Sequence, residues 1–309
     1  MKPKNCLIYY GWLNSFNSAQ NGWDNEKVAQ ELARYSLLVF GDGVQNPSHG
    51  DYANTQIILA RIAELNPCAK IFGYVSVNQS YANFVTKADQ WEDLEVCGIF
   101  MDEAGYDYGT VETNDRAAFN AKVDFVHSLC CCSCCFVNSW KPRYVLGTVD
   151  DVSFPNDTWN PEQVQSNLDE NDFLLMESFA IDSSGAYETG SQWAARGAEW
   201  HAYVDELDIK LVGCSVIADG DTGGQAKFDF IYTSACMWNL VGVGSSDTYY
   251  GASSAASKMW TRPNIEGMLY CDCEPVIRNI GTKYVRYLPD GLLTVDFATG
   301  SETSTRVKY

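Results

Sequence analysis

What this 309-residue chain has little of narrows its function before any motif is read. It holds only 3 His, which stand alone as His49, His127 and His201. No His-x-His or His-Glu-x-x-His pattern is present, so the sequence lacks the histidine clusters of metal-dependent barrel hydrolases, and no metal or cofactor is expected. Positive charge is scarce as well: 21 Lys+Arg stand against 40 Asp+Glu, a formal net charge of −19. A chain so acidic, with no basic cluster, repels phosphate backbones and anionic lipid, which excludes nucleic acid as a partner. No apolar run approaches the roughly 18 residues that a spanning helix requires, so membrane insertion is not expected.

Several catalytic signatures are missing too. The turn after the first apolar run reads Gly11-Trp12-Leu13-Asn14-Ser15-Phe16 and lacks the Gly-x-Gly-x-x-Gly of a doubly wound nucleotide-binding sheet. There is no Gly-x-Ser-x-Gly elbow for a serine triad, and the Schiff-base candidates Lys70 and Lys210 fall at strand starts. The N-terminal segment 6–13 is short, carries two Tyr and a Trp, and lacks a small-residue cleavage site, so it reads as a first strand.

Cysteine, by contrast, is plentiful, at 12 residues. Cys6, Cys97, Cys214 and Cys236 sit inside apolar runs, where a free thiol behaves as a small buried hydrophobe, as in a reducing compartment. The run Cys130-Cys131-Cys132-Ser133-Cys134-Cys135 reads as packing at a helix-to-strand junction, with disulfides or metal as the alternatives.

Short apolar runs alternate with amphipathic stretches along the chain. Eight runs qualify as strands: residues 6–13, 37–44, 70–77, 96–102, 135–140, 173–181, 210–218 and 240–245. Helical patterns lie between them, opening at Asp24 and Asp51 and covering residues 82–94, 113–129, 161–169, 192–207 and 224–239. This order predicts a (β/α)8 TIM barrel over residues 1–282. A C-terminal β-hairpin appendage follows over residues 283–309, turning at Pro289-Asp290-Gly291.

In such a barrel the chemistry sits at the C-terminal strand ends. The fourth strand stops at Asp102 and Glu103, and the sixth embeds Glu177 in its apolar run, a placement that is costly unless the acid is used or paired. Alternation lets only one of Asp102 and Glu103 face the centre; Asp102 is taken as that residue, with Glu103 supporting it. Asp102 and Glu177 belong to even strands, so their inward residues can share a layer. Two carboxylates across a cleft suit glycosidic cleavage, one donating a proton and the other acting as nucleophile or base. The apolar neighbours of Glu177 favour it as the donor. Further candidates for binding substrate are Tyr10, Trp12, Asp42, Tyr74, Asn78, Asn138, Trp140, Asp219, Asp247 and Tyr249, an acidic and aromatic group suited to a neutral or cationic saccharide.

The segment Ile71-Phe72-Gly73-Tyr74-Val75, Trp91 on the next helix and Gly98-Ile99-Phe100-Met101-Asp102-Glu103-Ala104 together resemble the spherulin-4-like glycoside hydrolases. A looser likeness extends to the endo-α-1,4-polygalactosaminidases and the Pel polysaccharide hydrolase barrel. The resemblance implies a (β/α)8 fold and endo-type cleavage of an α-1,4-linked galactosamine or N-acetylgalactosamine polymer, without a cofactor. It places Asp102 as the family's catalytic Asp and Glu177 as its second acid. It covers residues 71–104, thins through the Glu177 strand and is absent from the cysteine run and the tail, and Met101 stands where Phe is usual. The competing expectation is a catalytically silent barrel that binds saccharide or serves as a structural part of a larger assembly, for instance a viral one.

Overall fold

All eight apolar runs become strands in the computed structural model, which describes residues 2–41, 43–130, 133–148, 156–218, 220–246, 260, 275–298, 300 and 302–308. They are β1 (Lys4–Tyr9), β2 (Leu37–Phe40), β3 (Lys70–Ser76), β4 (Gly98–Ala104), β5 (Cys134–Ser139), β6 (Phe173–Glu177), β7 (Lys210–Val216) and β8 (Gly242–Ser246). Each pairs in parallel with the next, and β8 pairs with β1 to close a barrel. The helices between them are α1 (Ser18–Asn21), α2 (Asn25–Leu32), α3 (Tyr52–Leu65), α4 (Tyr81–Glu92), α5 (Val111–Asn114) and α6 (Arg116–Ser128), then α7 (Pro142–Leu146), α8 (Asn156–Trp159), α9 (Gly190–Val204) and α10 (Gly224–Met237). The (β/α)8 expectation holds.

Period-2 alternation sorts the strand residues into two cores. Ile8, Val39, Phe72, Phe100, Phe136, Phe173, Leu175 and Val212 fill the barrel with their neighbours, and the rings of Phe72, Phe136 and Phe173 lie 5.2 to 5.7 Å apart. The residues between them, such as Ile99, Met101, Leu174 and Met176, pack outward against the helices. Gly73 is one of the outward positions. A Cβ there would lie 2.1 Å from the indole of Trp91, whose Nε1 donates to the Tyr74 carbonyl at 3.0 Å. Gly73→Ala is therefore expected to cost about 1–3 kcal/mol of unfolding free energy through overpacking. Urea denaturation measures it, and a variant as stable as the parent would contradict this packing.

The helix expected over residues 161–169 does not form. Asn160, buried, instead donates from Nδ2 to the carbonyls of Gly147 and Val164, while its Oδ1 accepts from Val164 N at 3.0 Å. Arg116 and Asn120 of α6 donate to the carbonyls of Val164 and Gln165. Side chains thus take the carbonyls that a helical ladder would use, which sequence periodicity alone does not reveal.

The C-terminal hairpin is present as β10 (Lys283–Leu288) and β11 (Gly291–Asp296), but as the middle of a four-stranded antiparallel sheet. Its outer strands are β9 (Ile277–Ile280), which begins before the expected boundary at 282, and β12 (Thr303–Lys308). Both are largely exposed edge strands without an apolar run, so they carry little strand signal. The sheet buries Tyr284, Leu288, Leu293 and Val295 with Trp193 and Trp238. Arg286, also buried, donates to the Cys236 and Met237 carbonyls at 2.9 Å and so closes the C-terminus of α10.

The cysteine run spans the junction between α6 and β5, with Cys131 and Cys132 outside the described residues. Asp172, fully buried, accepts from Cys135 N at 2.7 Å, Asp169 N at 2.9 Å and His127 Nε2 at 3.0 Å. The ligand atoms of His127, Cys135 and Asp172 lie within 4.8 Å of one another, but both Asp172 oxygens are already occupied, so the group works as a pin between α6 and β5. The hydrogen bond to Asp172 raises the His127 pKa above its ordinary value. A raised histidine pKa stabilises fully below the unfolded value and loses that contribution as pH rises through the folded one. Asp172→Ala is expected to cost about 3–5 kcal/mol where His127 is protonated, and less at alkaline pH, where neutral hydrogen bonds replace the ion pair. Denaturation curves across pH test this; a cost independent of pH would contradict it.

Candidate active site

Because Phe100 faces the barrel interior and Met101 the helices, alternation turns Asp102 inward at the end of β4. By the same rule Glu177 follows Leu175 inward on β6, and Asn138 follows Phe136 on β5 between the two. The Asn138 side chain joins them: Nδ2 donates to Asp102 Oδ1 at 2.8 Å and to Glu177 Oε2 at 2.9 Å. The two hydrogens of one planar amide nitrogen point about 120° apart, so these oxygens stand about 5 Å from each other.

Each acid is followed by a residue in the left-handed region, Glu103 at φ 57° and Ser178 at φ 55°. The pairing of β4 with β5 also shifts register between Met101 and Ala104. Such backbone costs about 1–3 kcal/mol per residue and persists only where neighbours enforce it. At Ser178 the enforcer is Arg196 of α9, which donates from Nη1 to the Ser178 carbonyl at 2.8 Å and to Glu188 Oε1 at 2.9 Å, and from Nη2 to the Glu177 carbonyl. At Glu103 it is Ser76 of β3, whose Oγ donates to Glu103 Oε2 at 2.5 Å. Glu103 is thus tied to the end of β3, next to Asp102 in the chain.

Burial raises the Asp102 carboxyl above the ordinary range, and repulsion from Glu177 adds to this. Hydrogen bonds from Asn138, the Glu103 amide and the Tyr74 hydroxyl pull it back without cancelling the rise. Tyr74 in turn meets Tyr10 edge-on at 5.3 Å, and Tyr10 is 36% exposed. Asp102, Glu177, Asn138, Tyr74 and Tyr10 are therefore brought together.

Other candidates are placed differently. Trp12 stands on the rim, half exposed and edge-on to His49 at 5.2 Å. Asn78 is exposed, and its side chain lies against Gly109 on the loop after β4. Trp140 follows the end of β5 and lines a separate groove with α9. Asp42, Asp219, Asp247 and Tyr249 lie outside the described residues.

One site residue was not foreseen. The Tyr108 hydroxyl is pushed up by burial and then by the charges of Glu177 and Asp102, so it lies within electrostatic reach of both acids. Asn114 holds its loop, donating from Nδ2 to the carbonyls of Glu103 and Tyr108 at 2.7 and 3.0 Å. The sequence signal was the aromatic pair Tyr106-Asp107-Tyr108 directly after the acidic strand end.

No protein-family profile and no curated protein sequence matches the chain. In structure it is similar to a malate synthase of Haloferax volcanii in a lead(II) complex, at 11% identity and a TM-score of 0.48, over 88% of this chain and 77% of that one. It is also similar to a broad-specificity endoglucanase from Clostridum cellulovorans, at 12% identity and a TM-score of 0.41, over 80% and 89% of the two chains. An endoglucanase of Pseudomonas stutzeri follows at 11% and 0.42, over 77% and 76%. The TIM barrel is thus a fold shared with glycoside hydrolases and with other enzymes, and likenesses at this level carry no argument about the reaction.

Proposed function

We propose that this protein is a retaining glycoside hydrolase in which Asp102 and Glu177 flank the scissile bond. The observation that carries the reading is the Asn138 amide, whose Nδ2 donates to Asp102 Oδ1 and Glu177 Oε2 and so ties the two acids to one side chain; ideal amide geometry sets the bonded oxygens about 5 Å apart, which favours retention over the wider spacing of inverting enzymes. Burial of Asp102 favours the protonated form there, so Asp102 is the proton donor and Glu177 the nucleophile. This reverses the roles that the neighbours of Glu177 suggest in sequence: Leu174 and Met176 pack in the outer core and do not enclose its carboxyl.

In the first step the Asp102 proton passes to the glycosidic oxygen while a Glu177 oxygen attacks the anomeric carbon. The bond to the leaving chain breaks and a glycosyl ester forms. In the second, the Asp102 carboxylate takes a proton from water as the water oxygen attacks the same carbon and frees Glu177. Two inversions give net retention. Tyr74 donates its hydroxyl to Asp102, and Tyr108 lies within electrostatic reach of both acids, so aromatic residues with hydroxyls stand beside the pair, as a sugar subsite requires. The resemblance of residues 71–104 to the spherulin-4-like hydrolases supports an α-1,4-linked galactosamine or N-acetylgalactosamine polymer as substrate, cleaved internally, and the acidic composition suits its neutral or cationic character.

The test is incubation with such polymers, following reducing ends by colorimetry and the first-formed product by proton NMR. Reducing ends that appear first as the α anomer are expected. The β anomer first would overturn retention, and no cleavage of any polymer in the panel would overturn the hydrolase reading.

A further inference from the structure

A groove of about 450 Å³ lies between the turn after β5 and one face of α9. We infer that this groove is a second saccharide-binding subsite, taking a hexosamine unit of the chain whose other residues pass the candidate acids. The choice of sugar rests on the proposed glycosidase activity.

Three observations carry the inference. The first is Trp140, which is 53% exposed on the groove wall. β5 ends at Ser139, whose Oγ donates to the Lys141 carbonyl at 3.0 Å, and this turn takes Trp140 out of the inward series of Phe136 and Asn138 and lays it beside α9. An exposed indole at the edge of a polar groove is what the CH face of a sugar ring stacks on. The second is Glu188, another lining residue. Its Oε1 accepts from Arg196, but its Oε2 is buried with no hydrogen-bond partner. An unpaired buried carboxylate oxygen is costly, so the wall of this groove holds an acid that lacks its full set of donors. The third is charge. Lys141 faces Glu199 at 4.0 Å and Arg196 faces Glu188 at 2.9 Å, so the cations of the groove are matched by acids and an anionic ligand gains nothing there.

The groove also adjoins the chemistry. Arg196 lines it and, through the same guanidinium, holds the carbonyls of Glu177 and Ser178. One side chain, Arg196, thus joins the groove to the backbone that carries Glu177.

The experiment is calorimetric titration of the Asp102→Asn protein, which binds without cleaving, with an α-1,4-linked galactosamine octasaccharide. Adding Trp140→Ala is expected to weaken binding about tenfold, and Trp140→Phe to recover most of the loss. Trp23→Ala, which removes an exposed indole on another face of the barrel, is the control and leaves affinity unchanged. Unchanged affinity in Trp140→Ala overturns the subsite while leaving the hydrolase reading intact if the parent cleaves polymer. Loss of affinity in Trp140→Ala with a parent that cleaves nothing supports the subsite and sinks the hydrolase reading. No binding of the octasaccharide by the Asp102→Asn protein overturns the subsite.

Discussion

Asp102→Asn and Glu177→Gln are each expected to lower polymer hydrolysis about a thousandfold or more with the fold intact. Each swap keeps the shape of the side chain and an oxygen to accept from Asn138 Nδ2. Under the proposed mechanism it removes the proton at one position and the nucleophilic oxygen at the other. Burial raises the Asp102 pKa, so the alkaline limb of kcat/KM belongs to Asp102, and activity falls as pH rises through that raised value. The same shift fixes the sign of a stability effect. Between the ordinary aspartate pKa and the raised one the native state holds a proton that the unfolded state has released, so stability falls as pH rises through that window. Asp102→Asn abolishes this dependence, and the variant is expected to be at least as stable as the parent at neutral pH. Rate measurements and denaturation curves on the same samples test both halves.

Lys122→Met is expected to cost about 3–5 kcal/mol of stability. Lys122 is 1% exposed, and its Nζ donates to the carbonyls of Val77 at 2.6 Å, Gln79 at 3.1 Å and Thr113 at 2.5 Å. Methionine keeps the apolar stem packed near Phe84 but leaves three carbonyls without their donor. Two of those carbonyls belong to the loop after β3 and the third to α5, the elements next to Ser76, Asn78 and Tyr108. Polymer affinity should therefore weaken along with the melting midpoint. A loss under about 1 kcal/mol in urea denaturation would show that the ammonium is not the tie between these segments.

The barrel was legible because parallel strands buried on both faces read as apolar runs, and the interruptions at Asp102 and Glu177 were visible against them. Alternation alone was enough to turn Asp102 inward, whereas the bond from Ser76 to Glu103 depends on the left-handed backbone at Glu103 and the register shift beside it, which alternation does not reveal. The bridge through Asn138 was not legible, since it depends on how far three neighbouring strands stagger, although the residue itself stood among the binding candidates. Trp140 shows the limit of alternation: the rule holds only while the strand lasts, and β5 ends one residue earlier. Arg196 escaped notice because it acts on backbone carbonyls, which leave no pattern in the sequence of the α9 helix that carries it. Tyr108 lay beyond the strand end where the acidic motif stopped.

If Asp102 and Glu177 act as one unit across Asn138, removing either stops the same reaction. Reducing-end release from an α-1,4-linked galactosamine polymer, compared among the parent, Asp102→Asn, Glu177→Gln and the double variant, measures this. The predicted result is an active parent and a double variant no slower than the worse single one, because either loss alone stops the same reaction. Single variants that retain most of the parent's activity, or losses that multiply in the double variant, would contradict it.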